Sequence, residues 1–209
     1  MKYFIYDVET TGLGNRDEVI QLGGFLADET LNLEKMINFY AYSQVHIDSK
    51  AAKVNGITPK MLWEKSKGLA FEDYVYDEML DVLQLSDLTW VEYNNNGFDH
   101  RMINQTLRQN GFSGINFGKE VAIPRKESGI FTFNLLKGLQ NFCFDGKVRK
   151  LSQAVATLPY SEARIDAMYQ AACSKLGFNQ QEAGFHDASY DAFVTWLLFY
   201  SYKKRFGVS

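Results

Sequence analysis

The chain has 209 residues, of which 46% are hydrophobic and only three are proline, so a disordered protein is excluded and one domain over residues 1–209 is expected. The formal charge of −3 at first argues against a nucleic-acid ligand, although local basic patches matter more than the total. No segment is apolar for long enough to span a membrane, and the first residues lead into a strand without the pattern of a signal peptide. Two cysteines, Cys143 and Cys173, are too few for a disulfide framework, and we expect buried thiols in a cytoplasmic protein.

Apolar runs joined by short polar links predict three strands at the start of the chain, arranged as an antiparallel meander. Two short helices follow, separated at Asn55-Gly56, and the second begins with the N-cap and proline of Thr58-Pro59. Apolar residues at helical spacing then predict a longer helix. In chain order, the predicted elements of this half are strands 3–8, 18–27 and 35–42 and helices 48–55, 58–63 and 71–85.

The second half of the chain alternates between helix and strand and contains one long segment without a clear period. That segment, residues 112–129, is glycine-rich and is predicted to be a loop. The other predicted elements are strands 88–93 and 130–133, a turn at 94–97 and helices 98–109, 151–157, 161–176 and 187–206. Strands followed by alternating helix and strand predict an α/β fold, with a mixed sheet and helices on both of its faces.

A pair of acids, Asp7 and Glu9, ends the first predicted strand just before a glycine turn. Alternate residues of a strand project from the same face, so the two carboxylates lie side by side. Acids are also common where an ordinary strand runs into a turn, which is the alternative interpretation. Burying two unpaired carboxylates is costly, however, and oxygen ligands without cysteine suit Mg²⁺ or Mn²⁺ rather than zinc. The pair therefore indicates a metal-dependent phosphoryl-transfer enzyme.

Two later segments carry the other candidate catalytic residues. Asp99 lies in the first turn of a predicted helix, where an acid also stabilises the helix dipole without any catalytic role. His186 precedes Asp191 by five residues, and imidazole is the usual general base near neutral pH. Asp187 and Ser189, which lie between His186 and Asp191, are residues that commonly cap a helix.

Five segments of the chain form a common pattern. They are Asp7-Val8-Glu9-Thr10-Thr11-Gly12-Leu13, Glu18-Val19-Ile20-Gln21-Leu22-Gly23, Val54-Asn55-Gly56-Ile57-Thr58, Asn95-x-x-Phe98-Asp99 and His186-Asp187-Ala188-x-x-Asp191-Ala192. The pattern resembles the DEDD superfamily of 3′→5′ exonucleases, in the DEDDh (proofreading-exonuclease-like) branch with a His-x4-Asp motif. Three segments depart from the family: Asn55 replaces a histidine, Asn94-Asn95 replaces His-Asn, and residues 131–135 replace an Asp-Thr-Leu element. None of these changes touches a predicted metal ligand.

The resemblance implies a ribonuclease-H-like fold with a mixed five-stranded sheet and helices on both faces. It also implies two divalent ions, Mg²⁺ or Mn²⁺, with Asp7 bridging both, Glu9 and Asp191 on one ion and Asp99 on the other. His186 would take the proton from the attacking water. The expected reaction releases nucleoside 5′-monophosphates, one at a time, from the 3′ end of DNA.

Substrate contacts are expected mainly in the segment after Glu9. Its backbone would hydrogen-bond the terminal 3′-hydroxyl and Leu13 would wedge against the last base, because stacking on apolar side chains tolerates any sequence. The predicted substrate-binding residues are Thr10, Thr11, Gly12, Leu13 and Asn95. Six basic residues are predicted to contact phosphates: Lys119, Arg125, Lys126, Lys147, Arg149 and Lys150. An equally favoured alternative is that they form a solvated loop face. His46 and His100, which have no partnering acid pattern, are interpreted as surface or packed residues.

Several alternatives remain open at this level. An RNA-trimming or oligoribonucleotide exonuclease has the same fold, because a single contact to a 2′-hydroxyl decides the sugar preference. A proofreading subunit would act through a polymerase partner, and a homodimer is also compatible with the sequence. Residues 84–88 superficially resemble a sliding-clamp-binding peptide, but they lie inside the domain and are interpreted as part of the fold. An inactive relative kept for binding is disfavoured because every acid and the histidine are present.

Overall fold

The computed structural model describes residues 1–93, 97–121, 129–142, 148–179 and 184–206. Within these ranges the strands are β1 (Lys2–Thr10), β2 (Val19–Ala27), β3 (Leu33–Tyr40), β4 (Leu88–Glu92), β5 (Lys119–Val121) and β6 (Ile130–Asn134). The helices are α1 (Ser49–Asn55), α2 (Pro59–Ser66), α3 (Phe71–Glu78), α4 (Leu80–Leu83), α5 (Phe98–Gln109), α6 (Leu135–Phe142), α7 (Leu151–Val155), α8 (Glu162–Lys175) and α9 (Ala188–Phe206).

The strands form one mixed sheet in the order β3-β2-β1-β4-β6-β5. The first three strands pair antiparallel, as the short links between them predict. Strand β4 pairs parallel with β1 and with β6, and β5 pairs parallel with β6. The α/β class and the mixed sheet are therefore confirmed.

Three local predictions are wrong. The segment predicted as a loop at 112–129 contains β5, so the sheet has six strands and not five. This strand has only three residues, two of them exposed, and such a short edge strand leaves no alternating pattern in the sequence. Helix α6 was not predicted, although its apolar residues recur at helical spacing. The helix predicted at 71–85 is divided into α3 and α4 at Met79.

The alternation of β1 divides its side chains between two hydrophobic clusters, one on each face of the sheet. Tyr3 and Ile5 pack into the cluster that contains α9, whereas Phe4 and Tyr6 pack into the cluster that contains α3 and α5. Asp7 and Glu9 continue the row of Tyr3 and Ile5 because side chains alternate along a strand. The two acids therefore project on the α9 face, at the end of the strand.

Gly23 of β2 brings the start of α9 directly onto the sheet. A Cβ atom at this position would lie 2.2 Å from the backbone nitrogen of Ser189, so only glycine permits this close approach. Gly23 is also the partner of Asp7 in the β1–β2 register. The N-terminus of α9 is thus held next to the first predicted metal ligand.

Two further expectations concern burial and membranes. Cys173 is a buried free thiol, as predicted, and Cys143 lies outside the described residues. Among the residues that the structure describes, no helix has both the length and the apolar character that crossing a bilayer requires. Leu85 and Leu88 pack against the α3–α5 cluster, which supports the interpretation of residues 84–88 as part of the fold.

Candidate active site

The N-terminus of α9 is fixed by Asp187, which caps the helix. Its Oδ1 accepts hydrogen bonds from the backbone N–H groups of Ser189 and Tyr190 at 3.0 and 3.2 Å. Its Oδ2 accepts from the Gln21 amide at 2.9 Å and from the Tyr40 hydroxyl at 3.1 Å. The capping interpretation of Asp187 is confirmed, and these bonds tie the helix start to β2 and β3.

His186 and Asp191 lie on either side of this cap and contact each other. The backbone N–H of His186 donates to Asp191 Oδ2 at 3.1 Å, and His186 has a left-handed backbone with φ of 70°. Its side chain is exposed, while Asp191 is only 8% exposed. Ligand atoms of Glu9, His186 and Asp191 lie within 4.8 Å of one another. The turn at His186 therefore holds both the imidazole and the Asp191 carboxylate over the end of β1.

Asp99 reaches the same place from the other face of the sheet. It lies in the first turn of α5, as predicted, and is 4% exposed. Its charge raises the pKa of both Asp7 and Glu9, so the three carboxyl groups are near enough to interact. The structure thus gathers the five residues predicted to be catalytic: Asp7, Glu9, Asp99, His186 and Asp191.

The electrostatics of this cluster favour a bound cation. Burial raises the pKa of Asp7 well above its ordinary value, and the charges of Asp99, Asp191 and Glu9 raise it further. Burial also raises the pKa of Glu9, and the charges of Asp191, Asp99 and Asp187 add to this effect. Burial raises the pKa of Asp191 to about 7, against the lowering effect of the His186 backbone N–H. Burial is the main cause of each shift, and repulsion between neighbouring carboxylates adds to it, so a bound cation would stabilise the ionised forms.

The donor set fits divalent metal ions. Asp191 Oδ1 is buried and has no hydrogen-bond partner within the described ranges, and a carboxylate oxygen of Asp191 lies within 4.8 Å of ligand atoms of Glu9 and His186. Carboxylate oxygens are the ligands that Mg²⁺ and Mn²⁺ prefer. A bound cation would neutralise charges that otherwise repel, so Asp7, Glu9, Asp99 and Asp191 would hold it.

A cleft of about 690 Å³ opens beside Glu9. Thr10, Gly12 and Leu13 are on its wall, and Leu13 is 76% exposed at its rim. Three of the predicted substrate-binding residues therefore face a cavity next to the acids. Asn95, the fifth, lies outside the described residues.

Thr11 has a different place from the one predicted. Its hydroxyl donates to Asp17 at 2.9 Å and accepts from the backbone N–H of Glu18 at 3.0 Å. Its own backbone N–H bonds the Glu18 carbonyl, and its carbonyl accepts from the N–H of Asp48. Because these groups are all engaged within the protein, Thr11 supports the loop and is not one of the described residues that line the cleft.

The loop between β1 and β2 is also held from α5. Asp17 Oδ2 accepts a hydrogen bond from the backbone N–H of Gly14 at 2.6 Å, which closes the turn on itself. The Gln105 amide donates to the carbonyls of Gly14 and Asp17, and the Gln109 amide donates to that of Asn15. The wall that carries Gly12 and Leu13 is therefore fixed by long-range bonds.

The opposite wall of the cleft is α1 with its flanking residues, and few features of the sequence indicate it. The lining residues of this wall are His46, Asp48, Lys50, Ala51, Val54 and Asn55, and Phe98 at the start of α5 lines the cleft as well. Asn55 is the substitution for the family histidine; its amide donates to the Thr10 carbonyl at 3.3 Å and hydrogen-bonds the Glu9 side chain, which lowers the pKa of Glu9. The five-residue pattern around Asn55 was the one signal that could have located this wall.

Other predictions have mixed outcomes. His46 is exposed, as expected, but lies on the cleft. His100 is packed against Phe117, yet it does have an acid partner, because its Nδ1 lies 3.3 Å from Glu92 Oε2 and this contact raises the pKa of His100. Residues 131–135 are the segment that replaces the Asp-Thr-Leu element of the family. Within it, Asn134 Oδ1 accepts a hydrogen bond from the Lys137 N–H and so caps α6.

Those predicted phosphate contacts that the structure describes are not on the cleft. Lys119, Arg149 and Lys150 do not line it, whereas Lys50 does. Arg125, Lys126 and Lys147 lie outside the described residues, and their role stays a prediction.

The fold and this site agree with comparisons to known proteins. Residues 4–199 match the RNase T family, which is described as exonuclease. The chain belongs to this exonuclease family, which confirms the resemblance seen in the sequence and the predicted enzyme class. A comparison with curated proteins finds no match.

Solved structures with a similar fold include several of exonuclease I. The zinc-bound complex of E. coli exonuclease I with single-stranded DNA has a TM-score of 0.68 at 17% identity, covering 99% of this chain and 41% of that one. Exonuclease I from Methylocaldum szegediense gives 0.64 at 18% identity, with the same coverage of 99% and 41%. A complex of the E. coli protein with an oligonucleotide gives 0.66 at 16%, again covering 99% and 41%. The chain spans about two fifths of the length of these proteins, and the likeness shows a shared ribonuclease-H-like fold.

Proposed function

We propose that this protein is a metal-dependent 3′→5′ exonuclease that removes nucleoside 5′-monophosphates from single-stranded DNA. The observation that carries the proposal is the convergence of Asp7, Glu9, Asp99 and Asp191 at one strand end, with His186 above them. Residues 1–209 would form one catalytic domain. E. coli exonuclease I has been solved in complex with single-stranded DNA, which supports the choice of substrate.

In this proposal Asp7, Glu9, Asp99 and Asp191 hold two divalent ions. When bound, the ions would lower the pKa of water and stabilise the leaving 3′-oxygen. The four carboxylates fix their positions, while the His186 imidazole accepts the proton of the attacking water. The exposed imidazole is suited to this task, because it reaches solvent and the Asp191 carboxylate at the same time.

The cleft supports recognition of a 3′ end. Thr10 and Gly12 would offer backbone groups to the terminal 3′-hydroxyl, and Leu13 would pack against the last base. Lys50, on the opposite wall, would contact a phosphate. Stacking on Leu13 and Val54 needs no particular base, which suits an enzyme that digests any sequence.

A digestion assay tests the proposal. Single-stranded DNA, duplex DNA and RNA, each labelled at the 5′ end, would be incubated with Mg²⁺, Mn²⁺ or Zn²⁺. Zinc is included because one structure of E. coli exonuclease I contains it. We expect a ladder that shortens from the 3′ end, with 5′-monophosphates as products and Mg²⁺ or Mn²⁺ as the effective ions.

Three results would contradict parts of the proposal. Faster digestion of RNA than of single-stranded DNA would favour an RNA-trimming enzyme. Internal cleavage products would exclude an exonuclease. Full activity in excess chelator would exclude metal-dependent hydrolysis.

A reducing, cytoplasmic setting is proposed as well. Its support is the low number of cysteines and the buried free thiol of Cys173.

A further inference from the structure

Glu92 is a buried acid that no step of the proposed reaction uses. It ends β4 and is 0% exposed. Removing a carboxyl group from water is costly, and apolar replacements of buried ionic groups are often neutral or stabilising. Stability alone therefore does not explain an acid at this position.

The partners of Glu92 connect the first two metal-binding segments. The Tyr6 hydroxyl donates to Glu92 Oε2 at 3.0 Å, and His100 Nδ1 lies 3.3 Å from the same oxygen. Tyr6 immediately precedes Asp7, and His100 immediately follows Asp99. One carboxyl oxygen thus joins the neighbours of two predicted metal ligands that are far apart in sequence.

The geometry explains why such a connection matters. Asp7 projects on the α9 face of the sheet, whereas α5, which carries Asp99, packs on the opposite face. Asp99 therefore has to meet Asp7 at the strand ends, and its position depends on where the first turn of α5 lies. The His100 ring is confined between Phe117, with ring centroids 5.3 Å apart, and Gly97, where a Cβ atom would lie 2.9 Å from His100 Nε2.

We propose that Glu92 is a positioning residue that fixes the separation of Asp7 and Asp99 through its contacts with Tyr6 and His100. It would thereby keep the Asp99 side of the metal site assembled without contacting a metal or the substrate. This inference rests on the proposed function, since its consequence is measured on metal ions that Asp99 helps to hold.

Mn²⁺ binding, measured by calorimetry without substrate, tests this role. Glu92→Leu removes the contacts of Glu92 with Tyr6 and His100, and His100→Leu removes only the contact between His100 and Glu92. His100→Asn restores a donor, because its amide lies near the position of the His100 Nδ1. We expect each leucine variant to lower the affinity for the Mn²⁺ ion that Asp99 helps to bind by roughly 10- to 100-fold, the usual effect of losing a group that orients a ligand. The double leucine variant should bind Mn²⁺ no more weakly than Glu92→Leu alone, because Glu92→Leu already removes the contact that His100→Leu breaks.

Thr106→Val is the matched control for lost stability. Thr106 lies farther along α5 from Asp99 than His100 does. Its hydroxyl accepts a hydrogen bond from the backbone N–H of Val19 at 2.9 Å. This variant also loses a buried hydrogen bond and should melt at a lower temperature, with Mn²⁺ affinity unchanged. His100→Asn should restore most of the affinity that His100→Leu loses.

The outcomes separate the inference from the proposed function. Leucine variants that melt lower, like Thr106→Val, but bind Mn²⁺ as the wild type does would overturn the positioning role. If Glu92→Leu fails to fold, the two His100 variants decide alone. A wild type that binds two Mn²⁺ and an Asp99→Asn variant that loses one uphold the metal site whatever the His100 variants do. A wild type that binds no Mn²⁺ overturns both.

Discussion

The acid cluster and the loop at 11–18 lie side by side on the cleft, but they differ in whether their polar groups have hydrogen-bond partners. In the cluster, carboxyl groups face one another, their pKa values are raised by burial and mutual repulsion, and Asp191 Oδ1 has no partner within the described residues. In the loop, Asp17 and Thr11 bind backbone groups, and Gln105 and Gln109 bind its carbonyls.

This difference indicates a division of labour. Unpaired negative charge gives the cluster affinity for cations, at the expense of the stability of the metal-free protein. Paired polar groups give the loop a fixed shape, which a surface that recognises a 3′ end requires. Substitutions in the cluster should therefore change metal binding and rate, whereas substitutions in the loop should change substrate affinity.

The largest effect is expected for Asp7→Asn. Asp7 is the carboxylate whose pKa is raised by the other three acids, so it lies at the centre of the cluster. Its loss should lower turnover by roughly 10³-fold or more, since metal ions supply several kcal/mol of transition-state stabilisation. The melting temperature of the metal-free protein should rise, because repulsion is relieved. Turnover within about tenfold of the wild type, roughly 1.4 kcal/mol, would reject the assignment.

His186→Asn should have the next largest effect. Asparagine tolerates the left-handed backbone at this position, and its N–H can still hold Asp191. If His186 is the general base, the rate should fall by roughly 10²–10⁴-fold with Mn²⁺ affinity nearly unchanged. Turnover and melting temperature measured together decide the question, because a destabilised but fully active variant would mean that His186 only shapes the turn.

The pH dependence of stability tests the electrostatics of the cluster. The folded state raises the pKa of Asp191 to about 7, so folded protein holds this proton more tightly than unfolded protein does. Stability of the metal-free protein should therefore fall as the pH rises from the unfolded value, about 4, through about 7. Relative to Asp191→Asn, the wild type should lose several degrees of melting temperature between pH 5 and pH 8.

Added Mg²⁺ should restore this loss at pH 8 and have little effect at pH 5, because only ionised carboxylates bind it. Parallel melting profiles of the wild type and Asp191→Asn across this range would argue against a raised pKa of Asp191 in the folded protein.

The smallest effect is expected in the loop, for Asp17→Ala. The variant loses the bonds to Gly14 and Thr11, worth about 1 kcal/mol each. We expect KM for single-stranded DNA to rise about tenfold, with kcat and the Mg²⁺-induced gain in melting temperature almost unchanged. Asp28→Ala is the control, since Asp28 closes a similar turn between β2 and β3 with bonds to Thr30 and Asn32. An equal rise in KM for both variants would contradict the proposal that the loop at 11–18 has a specific role in substrate binding.

The same contrast explains what could be predicted from the sequence. Asp7, Glu9, Asp99, His186 and Asp191 stand in short motifs at strand and helix ends, where local periodicity indicates the direction of each side chain. The meander and most helices were predictable for the same reason, because their apolar residues repeat with a regular period.

The rest depends on contacts between distant parts of the chain. The bonds from Gln105 and Gln109 to the loop, and the contacts of Glu92 with Tyr6 and His100, leave no local pattern. The motif predicts that Thr11 binds substrate, because its hydrogen bonds with Asp17 and Glu18 leave no local pattern in the sequence. Strand β5 was missed because it is short and at the sheet edge.

A crystal of the wild type soaked with Mn²⁺ tests the central claim most directly. Anomalous scattering locates Mn²⁺ independently of any assumption about the ligands. We predict two peaks among the carboxylates of Asp7, Glu9, Asp99 and Asp191, one of them beside Asp99, with the His186 imidazole near but not bound. Peaks only elsewhere on the protein, at a Mn²⁺ concentration that supports digestion of DNA, would contradict the account.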